Sequence, residues 1–204
     1  MDLKDTLSYS GTLLSLLTCV APLPGIVSKG KAGKFDQLPK DFLYLNHATQ
    51  FLWLLYSLKI DDPSLKLVNT MTSVLSLVAV LTYAHYARLL VWMFTRYLIL
   101  SSAGVTLYSM LGNEALGTFA VGLNMVTFAA PCKSLGAVVS RKDSSLIDPS
   151  IALCNLVNCF IWTTYAYLIS NSLIMTPNIV GLAVSLAQMV LYYWATNVKT
   201  QKIN

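Results

Sequence analysis

Charge is what this sequence has least of. Aspartate, glutamate, lysine and arginine together make up 11% of its 204 residues, where a soluble domain carries about a quarter to keep its surface solvated. Carboxylates are scarcest inside the apolar runs: Asp2, Asp5, Asp36, Asp41, Asp61, Asp62, Glu114, Asp143 and Asp148 all fall in loops or at run ends. The four cysteines (Cys19, Cys132, Cys154 and Cys159) form no CxxC or metal-ligand spacing and read as small apolar packing residues. No Asn-x-Ser/Thr sequon occurs. The N-terminus begins with Asp2 and Asp5 where a cleavable signal peptide has a basic region, so the first apolar run is expected to remain as the membrane signal. No nucleophile–base pair or metal cluster is visible, which leaves an enzyme, a cofactor and a bound metal without support. The net charge of +5 is carried by loops and does not call for nucleic acid.

What is present is apolar and long. Hydrophobic residues reach 55% and the mean hydropathy is +0.61, and runs of about 20 such residues cross the hydrocarbon as helices. Seven spans are expected: Leu7–Val27, Phe42–Leu58, Leu67–Ala87, Leu90–Met110, Leu116–Leu135, Ile151–Ile169 and Leu173–Ala195. The runs are continuously apolar and lack the alternation of a membrane barrel strand.

The basic residues set an orientation. Lys29, Lys31, Lys34, Lys40, Arg88, Lys133, Arg141, Lys142, Lys199 and Lys202 share one side, and only Lys4, Lys59 and Lys66 the other. This predicts a multi-pass protein with its N-terminus outside and its C-terminus in the cytosol. The plasma membrane is the expected location, with an endomembrane as the alternative. Arg96 is left within the fourth span, where it snorkels.

The chain also contains its own double. Asn155–Asn178, NLVNCFIWTTYAYLISNSLIMTPN, repeats the landmarks of a stretch 109 residues earlier: Asn46, Phe51, Trp53, Tyr56 and Asn69 match Asn155, Phe160, Trp162, Tyr165 and Asn178. The same offset pairs Thr18 with Thr127, Ala21 with Ala130, Pro22 with Pro131, Ser76 with Ser185 and Tyr83 with Tyr192. Chance identities in leucine-rich helices would fall on leucine, so these mark an internal duplication. Three crossings per copy leave the chain on the wrong side for a parallel second copy, and the unmatched fourth span supplies the extra one. The fold expected is an all-α integral membrane protein of seven transmembrane helices, two parallel three-helix bundles joined by a linker helix (3+1+3). Its parts are residues 1–88, the linker 89–112, residues 113–197 and a short cytosolic tail, 198–204. Parallel repeats place a substrate site near the membrane midplane between them.

Asn69 and Asn178 are candidates for that site. A membrane amide must find hydrogen-bond partners. Glue between helices explains one such residue, but two at equivalent repeat positions favour a shared site. Trp53 and Trp162 present apolar faces at a matching depth. Amides between aromatic faces suit a neutral polyhydroxyl ring, with hydroxyls on asparagine and the C–H face on indole. Tyr56 and Tyr165, one turn outward, are placed to close an outer gate or to lie at the interface as ordinary tyrosines. Pro22 and Pro131 interrupt helical pattern and predict kinks that could act as hinges, whereas Pro39 and Pro149 read as helix starts. His47 is the one titratable candidate in a span besides Arg96, with helix packing as its plainer role. His85 reads as a boundary residue.

The segments TFAAPCKSLGAVVSRKDSSLIDPS, WTTYAYL and TPNIVGLAVSLAQMVLYY resemble the second three-helix unit of the SWEET sugar transporters, the MtN3/saliva family related to PQ-loop proteins. The resemblance implies bidirectional facilitated movement of sugars by alternating access, without ion coupling. It implies binding residues at Asn69, Asn178, Trp53 and Trp162, selectivity positions at Thr18 and Thr127, a proline tetrad at Pro22, Pro39, Pro131 and Pro149, and outer-gate tyrosines at Tyr56 and Tyr165. The chain departs from many plant members in carrying Trp53 where they have a small residue, and Ser57 and Ala166 where glycine follows the gate tyrosine. Tryptophan at both pocket positions favours a monosaccharide such as glucose. The partners expected are that small sugar and the lipid bilayer, and a homo-oligomer is compatible with the reading. Two rival classes make demands of their own. A proton-coupled PQ-loop amino-acid carrier would want an intramembrane carboxylate and a Pro-Gln pair, whereas Leu23 and Cys132 follow the prolines. A receptor of the KDEL-receptor type would want a charged pocket, for which only Arg96 is available.

Overall fold

Hydrocarbon offers the backbone no water, so each peptide group must be satisfied within a helix or at a cap. The computed structural model describes residues 2–34 and 40–201, without the side chains of Ala129, Ala130 and residues 199–201. Pro39 lies outside the described residues. Those described form α1 (Leu3–Val20), α2 (Leu23–Lys31), α3 (Lys40–Ile60), α4 (Pro63–Tyr86), α5 (Leu90–Met110), α6 (Asn113–Thr127), α7 (Ala129–Arg141), a 3-10 turn at Ser144–Leu146, α8 (Pro149–Leu168) and α9 (Ser172–Gln201). With α1–α2 and α6–α7 each counted as one broken span, there are seven crossings in a 3+1+3 plan, as the sequence predicts.

Six of the seven spans are long and apolar enough to cross a membrane by length and composition. The exception is α3, 21 residues long, in which Asn46, His47, Thr49 and Gln50 lower the hydropathy. It runs two residues beyond the predicted span at each end, because Lys40, Asp41, Lys59 and Ile60 continue the helix past the apolar run. Likewise α9 continues to Gln201, past the predicted span end at Ala195.

The structure repeats itself at the predicted offset, including at places where the residues differ. Asp62 caps α4 by accepting from the Leu65 N–H at 3.0 Å, and Asn171 caps α9 by accepting from the Ile174 N–H at 3.2 Å. Each cap follows a left-handed residue, Asp61 (φ 59°) and Ser170 (φ 53°). Lys66 donates to Asp61 and its charge adds to the effect, holding that exposed carboxyl below its usual range. Gly33 (φ 68°) and Lys142 (φ 53°) form a second left-handed pair, ending α2 and α7. The fifth left-handed residue, Arg88 (φ 56°), ends α4 just before the linker helix. Its match, Asn197, sits inside α9, where no exit is needed.

Two compact units result, one of Ser15–Asn124, the other of the N-terminal residues to Leu14 with Met125 onward. Within the first, Ile26, Leu43, Val80 and Tyr83 form a buried cluster with Ala84 and Met93. Within the second, the equivalent Leu135, Ala152, Met189 and Tyr192 pack together with Val138 and Ala195. The equivalence also covers a contact with changed chemistry. Gln50 lies 3.0 Å from the Thr72 hydroxyl, whereas the matching Cys159 packs so closely on Gly181 that a Cβ there would sit 2.5 Å from its sulfur.

Both predicted kinks are present as breaks. Pro22 sits at the N-cap of α2, and Pro131 is the third residue of α7, after the break at Phe128. In both, proline falls in a first turn, where a missing N–H costs no helix bond. Pro149 opens α8 behind Asp148, which accepts from the N–H groups of Ser150 (2.9 Å) and Ile151 (3.2 Å).

Close packing of α2 on α4 requires Gly30, where a Cβ would lie 2.4 Å from the Tyr86 ring; at Gly25 the same atom meets nothing within 4 Å. Gly30→Ala is therefore expected to lower the apparent melting temperature in detergent, since overpacking costs about 1–3 kcal/mol. Gly25→Ala should leave it unchanged or raise it, because alanine is favoured over glycine in helices by up to about 1 kcal/mol. Equal melting of the two variants would mean that α2 does not seat on α4.

Candidate functional site

In the unit of Ser15–Asn124, α3 carries Trp53 and Tyr56 three residues apart, so both lie on one helix face. Their rings meet edge to face, with centroids 5.7 Å apart and planes at 80°. Tyr56 is buried and Trp53 half-buried. Asn69 on α4 is also half-buried, and its side-chain amide makes no hydrogen bond among the described residues. At about 1.5 Å per residue, Trp53 and Asn69 both lie about 9–10 Å from the helix ends joined by the Asp61–Asp62 turn. Thr18 spends its hydroxyl on the Ser15 carbonyl of its own helix, at 2.8 Å.

The other unit repeats the pattern with tighter packing. Trp162 and Tyr165 on α8 meet at 5.4 Å and 75°, and both are buried. Such aromatic pairs contribute about 0.5–1.5 kcal/mol beyond their buried area. Gly11 of α1 is pressed against the indole: a Cβ there would lie 2.9 Å from Trp162 Cε2 and 3.0 Å from Nε1. The Lys4 ammonium stands 5.9 Å over the Tyr165 ring. Asn178 on α9 donates through Nδ2 to the Ile174 carbonyl at 2.8 Å, which leaves its Oδ1 as the acceptor. Thr127 ends α6, half-buried.

The structure thus joins each tryptophan to its tyrosine, and leaves the two asparagines with unequal bonding. Asn69 and Asn178 lie in different units, each at the level of its own tryptophan. His47 is buried at 4% exposure, with Nδ1 3.0 Å from the Ser76 hydroxyl. His85 is exposed at the end of α4, edge to face with Tyr86 at 5.3 Å. Arg96 stacks on Trp92, Cζ to centroid 3.7 Å. Two residues escaped the sequence reading. Gly11 fixes the indole, but its repeat partner is alanine (Ala120), so the offset gave no signal. Pro177, fully buried beside Asn178 inside α9, removes the N–H that would bond the Leu173 carbonyl; its partner is Val68.

Two parallel three-helix repeats, each with an uncharged amide and an aromatic pair at one depth, make this a polytopic carrier of the parallel-repeat class. A model of the family described as "Sugar efflux transporter for intercellular exchange" matches residues 5–89 and again 114–200, two matches that begin 109 residues apart. The chain belongs to this family, the SWEET transporters. It is 27% identical to bidirectional sugar transporter SWEET13 of Oryza sativa subsp. japonica, over 92% of this chain and 67% of that protein. It is 23% identical to sugar transporter SWEET1 of Rattus norvegicus, over 69% and 68%. The fold matches a solved structure of a eukaryotic SWEET transporter with a TM-score of 0.84, at 16% identity, covering 96% of this chain and all of that one.

The Gly11 contact predicts how Trp162 is held. In a background with Trp162 as sole tryptophan, Gly11→Val should shift its emission and lower the melting temperature. Gly122→Val, at a position with nothing within 4 Å, should do neither. An unmoved spectrum in Gly11→Val would show that α1 does not hold the indole.

Proposed function

We propose that this chain is a uniporter that carries sugars in both directions by alternating access, with monosaccharides such as glucose as substrates. The observation that carries the proposal is the repeated edge-to-face Trp–Tyr pair at the depth of a membrane asparagine, in a chain of this family. Relatives in rice are named bidirectional sugar transporters. In this reading Asn69 and Asn178 bond sugar hydroxyls, Trp53 and Trp162 stack on the ring, and Thr18 and Thr127 adjust the fit. Tyr56 and Tyr165 close the outer gate, and Pro22, Pro39, Pro131 and Pro149 serve as hinges. The repeats are residues 1–88 and 113–197, with the linker 89–112 and a cytosolic tail 198–204. The N-terminus lies outside and the plasma membrane is the site of action. A bulky indole at both matching pocket positions, in place of a small side chain, favours a hexose over a disaccharide.

The test is counterflow in proteoliposomes containing only this protein. Labelled glucose should exchange without a proton gradient and be competed by glucose far better than by sucrose. Strict dependence on a proton gradient would overturn the uniport reading, and equal competition by carried sucrose would overturn the size argument.

The asparagines generate a second expectation. A hydrogen bond to a neutral partner contributes about 0.5–1.5 kcal/mol, and more when a buried group is stranded. Asn69→Ala and Asn178→Ala should each remove most exchange while the protein stays inserted and folded, and the double variant should be little worse than either. Normal exchange in both would reduce the pair to helix glue.

A further inference from the structure

The linker helix creates a site that the duplication does not contain. It touches α3 at two levels. Near its start, the Tyr44 hydroxyl donates to the Met93 sulfur and the Tyr44 ring meets Trp92 edge to face at 5.6 Å. Farther along, Gly104 admits Phe51 so closely that a Cβ would lie 2.5 Å from its ring. Between these contacts the small Ala48 and Ala103 leave a cavity of about 450 Å³, lined also by Leu77, Val80, Ile99 and Leu100. That volume lies within the range of about 300–1,000 Å³ typical of small-molecule sites. The second repeat has no such helix, and Phe160, the match of Phe51, is 60% exposed.

His47 and Arg96 bring nitrogen atoms to this largely apolar space, which Tyr44 and Tyr97 also line. The Ser76 hydroxyl gives its proton to the Ser73 carbonyl at 2.9 Å, so its oxygen accepts from His47 Nδ1–H at 3.0 Å. The opposite nitrogen, Nε2, is then a bare acceptor, buried and without a partner among the described residues. An unsatisfied buried acceptor of this kind costs about 1–3 kcal/mol. Tyr97 covers the ring face, with centroids 6.1 Å apart and planes at 22°. Arg96 has no carboxylate partner among the described residues. It leans one turn toward the start of α5 over Trp92, the direction helix side chains take.

We propose that a membrane lipid alcohol of the sterol class binds in this cavity, its hydroxyl donating to His47 Nε2 and accepting from Arg96. A phosphodiester group itself has no proton to offer the imidazole. Moreover His47 lies about 10 Å, and Arg96 about 9 Å, inside their helix starts, a depth to which a phosphate charge is costly to bring. A single hydroxyl is far cheaper to sink, and it can both donate to an imidazole nitrogen and accept from a guanidinium. A fused-ring body also loses less freedom on entering the cavity than a flexible acyl chain does. The proposal stands independently of the sugar site, since every lining residue belongs to α3, α4 or α5.

The test is photolabelling of the purified full chain in nanodiscs with a diazirine-bearing sterol, mapped by mass spectrometry. Label should fall on α3 and α5, and excess sterol should displace it. The sterol methyl ether, which cannot donate, should displace it about 2–10-fold less well, the factor equivalent to one neutral hydrogen bond. His47→Phe should weaken wild-type labelling by a similar factor. Ala103→Phe should abolish labelling without changing gel-filtration behaviour. The proposal is overturned if the methyl ether competes as well as the free alcohol. It is equally overturned if phospholipid displaces the probe in the sterol's place, or if Ala103→Phe labels like wild type at the same peptides.

Discussion

Everything in this chain is subordinate to one constraint, the absence of water around its backbone in the bilayer. Helices satisfy most peptide groups, and the few carboxylates gather where helices end because those ends expose orphan N–H groups. Asp62 and Asp148 cap α4 and α8, and the amide of Asn171 does the same for α9. The scarcity of charge and its placement are thus one fact. With so few ionisable side chains in its spans, the chain recognises a solute chiefly through neutral hydrogen bonds and aromatic faces.

Duplication under this constraint preserved geometry more faithfully than identity. The left-handed pairs Asp61/Ser170 and Gly33/Lys142 share no residue type, yet each holds the same turn, because the following helix must start in the same place. The Gln50–Thr72 and Cys159–Gly181 contacts fill the same space, one by a hydrogen bond and the other by a sulfur on bare backbone. The linker breaks this symmetry. It requires an exit at Arg88 that α9 lacks, and it covers one phenylalanine of a matched pair.

The helices and the repeat were legible because apolar length and paired Pro, Trp, Asn and Tyr are visible in one dimension. Leu90–Met110 agrees with α5 at both ends, since a strongly apolar helix is bounded by its own composition. The end of α3 was less legible, as hydrogen bonding carries a helix past its apolar run. The Trp–Tyr pairs could be read as a spacing of three but not as edge-to-face contacts. Gly11 and Pro177 could not be found by comparing the copies, because each acts in one copy only. The cavity beside His47 was equally hidden: it depends on small residues in α3 and α5 that meet only when the linker helix folds back.

The two copies also differ in what they offer a hydroxylated ring. Asn69 keeps its whole amide free of hydrogen bonds among the described residues, whereas Asn178 has turned one N–H to the Ile174 carbonyl. Pro177 lies beside it in the helix and frees the Leu173 carbonyl one residue earlier, so this turn of α9 holds an acceptor that α4 has no reason to hold. Under the proposed function, the two repeats therefore offer a sugar hydroxyl different partners, a donor-and-acceptor amide at Asn69 and a turn richer in acceptors at Asn178. A hydroxyl suits either, because it both donates and accepts. A carboxylate suits the turn of α9 less well, since it only accepts and finds there one remaining N–H of Asn178 among the acceptors. Under the proposed function, the asymmetry of these matched asparagines favours neutral polyols on chemical grounds separate from the size of the tryptophans.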